Sequence, residues 1–153
     1  MTPVQTRTAQ ALVLPVGKDL YALPLEWVRK VVAAPTVTRL VTAPSIVLGL
    51  FNLRGEIVAL LDTAALLGTG TTGTTAFAVV VNGPQGPVGL ATTGLPERCL
   101  LDRPAGESEL PGTDGLFEVD QRVAVRLNLI ALLTSERVGG LEFRPDLTYL
   151  AAG

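Results

Sequence analysis

The sequence predicts a mainly β chain built as two small barrels with short helices. Three observations lead there. Apolar residues fall in many short runs bounded by Gly, Pro, Asn or Asp, the pattern of strands joined by turns. The stretches with helical signals are far too short to serve as the crossovers of a βαβ architecture. And the stretch 49–68 reappears in altered form at 115–134.

The elements follow in order. Residues 1–9 are polar and expected to be frayed. Residues 10–16 form a strand that is apolar on both faces, hence internal to a sheet. Gly17, Lys18 and Asp19 turn the chain, and 20–23 pairs back. Pro24 suits the first position of a helix, expected over 25–30 with Leu25 and Val28 on one face and Glu26, Arg29 and Lys30 on the other. Residues 31–34 are extended, because Pro35 disfavours helix before it. Residues 36–42 alternate Thr and Leu with Val and Arg, the pattern of a further strand.

The stretch 49–68, GLFNLRGEIVALLDTAALLG, is the densest in signals. Residues 50–53 and 56–61 are two strands joined by a tight turn at Arg54-Gly55, with Gly supplying the φ > 0 conformation. Asp62 caps a short helix over 63–67, and Gly68 closes it. The Gly/Thr run 68–75 contains nothing expected to pack and reads as a flexible surface linker. Strands are expected at 76–81, 87–92 and 97–101, then a long polar loop over 102–115. A hairpin follows at 116–120 and 122–127, and a short helix over 128–133. In the tail, 135–153, Leu141, Phe143, Leu147, Tyr149 and Leu150 are placed to fold back on the body.

Set at a shift of 66 residues, 49–68 and 115–134 share seven identical positions without gaps. Asp62 falls over Asn128, both strong N-caps. The hairpin 11–23 has a counterpart in 77–90 at nearly the same shift. Two related units, each hairpin, hairpin and short helix, imply two similar barrels, with a groove between them as a common place for partners.

Composition narrows the function. The chain has no histidine, which removes the commonest general base and metal ligand at neutral pH. The lone Cys99 excludes an internal disulfide and any CxxC site and reads as a buried, inert thiol. Glu107, Glu109 and Asp114 lack the spacing and charge density of a calcium loop, so no metal or cofactor is expected. The glycines form neither a GxGxxG fingerprint nor a P-loop, and no nucleophile stands beside a base, so no catalytic residue and no enzyme activity are expected. Net charge is −2, split as +2 over residues 1–68 and −4 over 69–153. Neither value suits nucleic acid, which wants a concentrated basic face. Mean hydropathy is +0.43, which points to apolar surface kept for a partner. No apolar run approaches the roughly 18 residues of a membrane span. The N-terminus lacks the apolar core of a signal peptide, so a cytoplasmic location is expected.

Three segments, YALPLEWVRKVV (21–32), VTRLVTAPSIVLGLFNLRG (37–55) and IVALLDTAALLG (57–68), together resemble the CheW-like family, the coupling proteins of bacterial chemotaxis arrays. The resemblance covers about residues 10–134 as one domain and is strongest over 20–68. It implies two five-stranded SH3-like barrel subdomains and a non-catalytic scaffold. Its implied partners are the cytoplasmic tip of a chemoreceptor and the regulatory domain of the histidine kinase CheA. It places Arg54, with Asn52 and Gly55 beside it, at the receptor groove, Val28 near it, and Leu95 as a weaker match in the second half. Departures are concentrated in the second half, where the Arg-Gly turn becomes Asp120-Gln121 and Arg126 sits in an apolar strand. Lys30 stands where the family often carries an acid.

Two residues keep two readings each. Arg54 is either a partner-contacting guanidinium or a solvated turn residue. Trp27 is either an exposed interface anchor or half-buried core. The alternative function, from another class, is a small-molecule-binding or sensory β-barrel module. It requires a pocket with perturbed ionisable groups.

Overall fold

The computed structural model describes residues 9–41 and 43–134. Of the frayed segment expected over 1–9, residues 1–8 fall outside these residues and Ala9 is instead paired with Leu101 at the start of a strand; the tail 135–153 also falls outside. The strands are β1 (Ala9–Val16), β2 (Asp19–Pro24), β3 (Val28–Ala33), β4 (Val47–Leu53), β5 (Glu56–Leu61), β6 (Phe77–Gly83), β7 (Gly86–Thr92), β8 (Glu97–Leu101), β9 (Pro104–Gly106), β10 (Thr113–Val119) and β11 (Arg122–Leu127). The α-helices are α1 (Thr63–Leu67) and α2 (Leu129–Leu133), with one 3₁₀ turn at Leu25–Trp27. No helix among the described residues is long and apolar enough to cross a membrane.

The strands form two sheets, ordered β8-β1-β2-β11-β10-β9 and β3-β6-β7-β5-β4. This is the mainly β, two-subdomain architecture expected, but the sheets do not follow the two repeats. Each sheet takes the first hairpin of one repeat and the second hairpin of the other. The joints are parallel: β2 pairs with β11 through Leu20↔Ala124 and Tyr21↔Val125, and β5 pairs with β7 through Ala59↔Val88 and Leu60↔Gly89. The chain crosses between sheets at the 3₁₀ turn and again at residues 93–96.

The repeat extends to pairing register. Ala11 faces Cys99 on β8, and Ala78 faces Val32 on β3. These pairs are 67 residues apart in sequence, so β3 and β8 are equivalent outer strands beside equivalent central strands β1 and β6. Strand β1 is buried on both faces, as its sequence requires. Ala11 and Val13 join a cluster with Leu20, Ala22, Leu101, Phe117, Val119 and Ala124 inside the first sheet. Leu12, Leu14 and Val16 point the other way, into a larger cluster with Val79, Val81, Leu90, Leu61 and the buried sides of α1 and α2. A third cluster, Phe51, Val58, Leu60, Ala78, Val80 and Ala91, fills the second sheet. Much of the space between the two sheets is therefore shared core rather than an open groove.

Several expectations change. The helix over 25–30 is a single 3₁₀ turn, because Val28, Val31 and Val32 are β-branched and pair with β6 instead. Ala34 is not extended; its φ is 43°. Of the strand expected over 36–42, the described residues 36–41 form one bridge, Thr38↔Leu50. The long loop 102–115 contains β9 and the start of β10. The run 68–75 connects α1, which follows β5, to β6 of the same sheet, so it does not divide the sheets. Nor is it free of packing: Thr72 is buried, and its N–H and hydroxyl donate to Asp62 Oδ1 at 2.9 and 2.6 Å.

Both helix caps form as the sequence requires. Asp62 Oδ1 accepts from the Ala65 N–H, and Asn128 Oδ1 accepts from the Ala131 N–H. Gly68 closes α1 in the left-handed conformation. Arg126, which looked out of place in an apolar strand, donates to Asp114 at 2.6 Å and lies 5.0 Å from the centre of the Phe117 ring. Its stem covers apolar surface while its charge is neutralised at the edge.

Candidate functional site

The candidate site is the tip of the β4–β5 hairpin and the strand β3 beside it. The flanking pair is Leu53↔Glu56, so only two residues make the turn. Arg54 has φ 52° and Gly55 has φ 87°, the type I′ geometry that matches the twist of a two-residue hairpin. Asn52 Oδ1 accepts the Gly55 N–H at 2.7 Å and holds the turn shut. Asn52 and Gly55 thus shape the tip, while Arg54 stands exposed on it.

Glycine at the second position is expected from the sequence; arginine in left-handed backbone at the first is not. An L-residue with a long side chain costs about 1–2 kcal/mol in this conformation. Among the described residues the Arg54 guanidinium has no ion pair or hydrogen bond that offsets the cost.

A cation pair and a carboxylate surround it. Pairing of β3 with β6 slips between Val28↔Val81 and Lys30↔Val80, leaving Arg29 as the extra residue of a bulge. The bulge aims Arg29 across to Glu56, at 2.7 Å and 3.2 Å in a bidentate fork. Strand β3 is one edge of its sheet and β5 lies next to the other, so this pair joins the two sides of a strongly curled sheet. Arg29 donates to the Glu56 carboxylate and holds it below the usual carboxylate range; Glu56 in turn pushes the Arg29 guanidinium up. Both stay ionised, and Glu56 is already satisfied. A small pocket of about 260 Å³ is lined by Arg29, Lys30, Leu53, Arg54 and Glu56. Among the described residues it carries two positive charges without an ion pair, Lys30 and Arg54, beside one apolar side chain.

The remaining sequence candidates divide. Trp27 and Val28 are half-buried and pack against the shared core, which places Trp27 nearer the core reading than the anchor reading. Val28 starts β3, two residues before Lys30. Leu95 is 59% exposed in the second crossover and does not line the Arg54 pocket. It is nonetheless the counterpart of Val28, 67 residues on. Arg29, Lys30 and Glu56 belong to the site but were missed, because a helical reading of 25–30 sends Arg29 and Lys30 to solvent. The density of β-branched residues at 28, 31 and 32 was the signal that corrects it.

Elsewhere the chemistry is quiet. The cavity between β3 and β4, about 410 Å³, is lined by Val32, Ala33, Ala34, Pro35, Thr36, Thr38, Leu50, Phe51, Asn52 and Ile57, with no ionisable group. Cys99 borders a second cavity of about 500 Å³; burial, then Asp120 and Glu97, push its thiol up, away from the reactive thiolate. No group of three or more His, Cys, Asp or Glu among the described residues is placed to hold a metal ion.

Comparison with known proteins agrees with this architecture. The fold is similar to the crystal structure of the scaffolding protein TtCheW from Thermoanaerobacter tengcongensis, with a TM-score of 0.72 at 21% sequence identity, covering 85% of this chain and 95% of that one. The profile of the CheW-like domain matches residues 10–137. With two curled sheets, capped helices and an Arg-Gly hairpin tip in the expected order, and that match spanning most of its length, the chain belongs to the CheW-like domain family.

Proposed function

We propose that this protein is a non-catalytic adaptor of a bacterial chemosensory system, acting in the cytoplasm and joining the cytoplasmic tip of a chemoreceptor to the regulatory domain of the histidine kinase CheA. Membership of the CheW-like family supports the adaptor reading. The observation that carries the site is Arg54: a long cationic side chain held in left-handed backbone, exposed, braced by Asn52 and free of ion pairs among the described residues. Ala34, Asp120 and Gln121 share the left-handed backbone; what supports Arg54 as the contact residue is that strain together with its long cationic side chain, unpaired among the described residues. Val28, half-buried at the start of β3, and Leu95, its exposed counterpart in the other half, are proposed as further contact positions, with Trp27 as the half-buried residue that precedes β3.

The small-molecule reading finds perturbed chemistry at one place, the cavity of about 500 Å³ beside Cys99, where burial, Asp120 and Glu97 hold the thiol toward its unreactive form and charges of both signs line the wall. The cavity beside β3 has no ionisable group to orient a polar ligand, and the Arg29–Glu56 shifts come from pairing with each other.

Co-sedimentation with a receptor cytoplasmic fragment and CheA tests the reading. Wild type is expected in the pellet with both partners, and Arg54→Ala is expected to weaken assembly by roughly 1–3 kcal/mol. Wild type that joins neither partner overturns the adaptor reading. Normal assembly by the mutant overturns the role of Arg54 alone.

A further inference from the structure

The Arg54 pocket contains a competitor for Arg54. Among the described residues, three cations and one carboxylate line it: Arg29, Lys30, Arg54 and Glu56. Glu56 stands two residues after Arg54, at the flank of the same two-residue turn. A free carboxylate at that position has the Arg54 guanidinium within its own pocket to turn to. Instead Arg29 takes both of its oxygens, one nitrogen to each, at 2.7 and 3.2 Å.

Stability does not account for this pair. The Arg29 and Glu56 side chains are 39% and 41% exposed, and exposed ion pairs add little to a fold. Yet the pair depends on a bulge in β3, which interrupts the pairing with β6 and aims Arg29 across to β5. The bidentate fork fixes the direction of the carboxylate as well as neutralising its charge, which the point charge of a lysine does not. Among the described residues Lys30, next along the strand, has no ion pair.

We propose that Arg29 is a positioning residue: by holding Glu56 it keeps the one carboxylate of the pocket off Arg54 and leaves that guanidinium open to the partner. The proposal rests on the contact role of Arg54 proposed above. Arg29 acts on partner binding through Glu56 and Arg54, without touching the partner itself. Its removal releases Glu56 to pair with Arg54, and removal of Glu56 as well makes Arg29 dispensable.

The test has two arms. The first uses the protein alone and follows the Glu56 carboxyl by NMR titration. In the wild type Arg29 holds it below the ordinary carboxylate range. In Arg29→Ala it is expected to stay below that range, because Arg54 takes over, and to rise to it in Arg29→Ala/Arg54→Ala. A carboxyl already in its ordinary range in Arg29→Ala, or one that the second substitution does not move, overturns the proposal. The second arm titrates a receptor cytoplasmic fragment. Arg29→Ala is expected to bind about threefold more weakly, Glu56→Gln at least as tightly as wild type, and Arg29→Ala/Glu56→Gln like wild type. Equal weakening in both single variants makes the pair a brace and overturns the proposal, as does a double variant that stays weak or an Arg29→Ala that binds like wild type. Circular dichroism checks that every variant is folded. A wild type that does not bind the fragment overturns the adaptor reading, and the first arm still decides whether Arg29 keeps Glu56 off Arg54.

Discussion

At the residue scale, Arg54 and Gln121 make a natural experiment. Both lie in left-handed backbone at equivalent two-residue turns, with φ 52° and 65°. Glycine relieves the strain at either position, less the larger unfolded-state entropy it brings, for a net gain of about 0.5–1 kcal/mol. Gln121→Gly is therefore expected to raise the thermal midpoint, and Arg54→Gly to raise it similarly while lowering recovery of partners in a pull-down. A fall in midpoint for Gln121→Gly contradicts the strain assignment. The caps give a second comparison. Asp62 is buried and its Oδ1 takes three donors, from Ala65 and twice from Thr72, whereas Asn128 takes one. Asp62→Ala is expected to cost about 2–3 kcal/mol and Asn128→Ala about 1 kcal/mol, read from urea unfolding. Equal losses show that the Thr72 hydrogen bonds add nothing. The caps were legible in the sequence because each is a local motif. Thr72 was not, because its partner lies ten residues away in a run whose composition says only that it is small and polar.

At the element scale, strand β3 decides the site. Short segments carry both periodicities, and 25–30 has a helical face, a proline at its start and a β-branched run immediately after. Pairing with β6 settles the competition, and the bulge at Arg29 then swings its guanidinium onto Glu56. The segment 36–41 shows the opposite outcome. Its alternation is that of a strand, yet only Thr38 pairs, through mutual hydrogen bonds with Leu50 at 2.7 and 2.8 Å. Gly49 permits this approach: a Cβ there runs into Val37 and the Thr38 carbonyl. Gly49→Ala is expected to destabilise the protein by about 1–3 kcal/mol and to speed hydrogen exchange at Thr38 and Leu50. Retained protection at both amides means the bridge tolerates the methyl. The hairpin bounds were mostly legible, since turn residues and apolar runs fix them locally.

At the scale of the whole molecule, the repeats are interleaved. Neither half of the sequence owns a sheet, because β2 needs β11 and β5 needs β7. The largest cluster draws on both sheets and both helices. Unfolding is therefore expected as one cooperative transition, with equal calorimetric and van't Hoff enthalpies. Two resolved thermal transitions contradict a shared core. The same interleaving carries the two hairpin turns, Arg54-Gly55 and Asp120-Gln121, to equivalent places on the two sheets.

The sequence by itself determined the mainly β class, most of the hairpins, the Arg54-Gly55 turn, both caps and the repeat, and through its motifs the family. All of these are written in contiguous residues, where backbone chemistry and spacing suffice. The tertiary structure decided which hairpin joins which sheet, that Arg29 satisfies Glu56, that Thr72 serves Asp62, and that Lys30 and Arg54 share one pocket at the hairpin tip. Each of these depends on pairing between residues far apart in the chain, and such pairing is selected by the packing of the whole core rather than by any local preference. The tip that first reads as a well-formed turn is, in the folded molecule, a strained and uncompensated cation beside a carboxylate already taken.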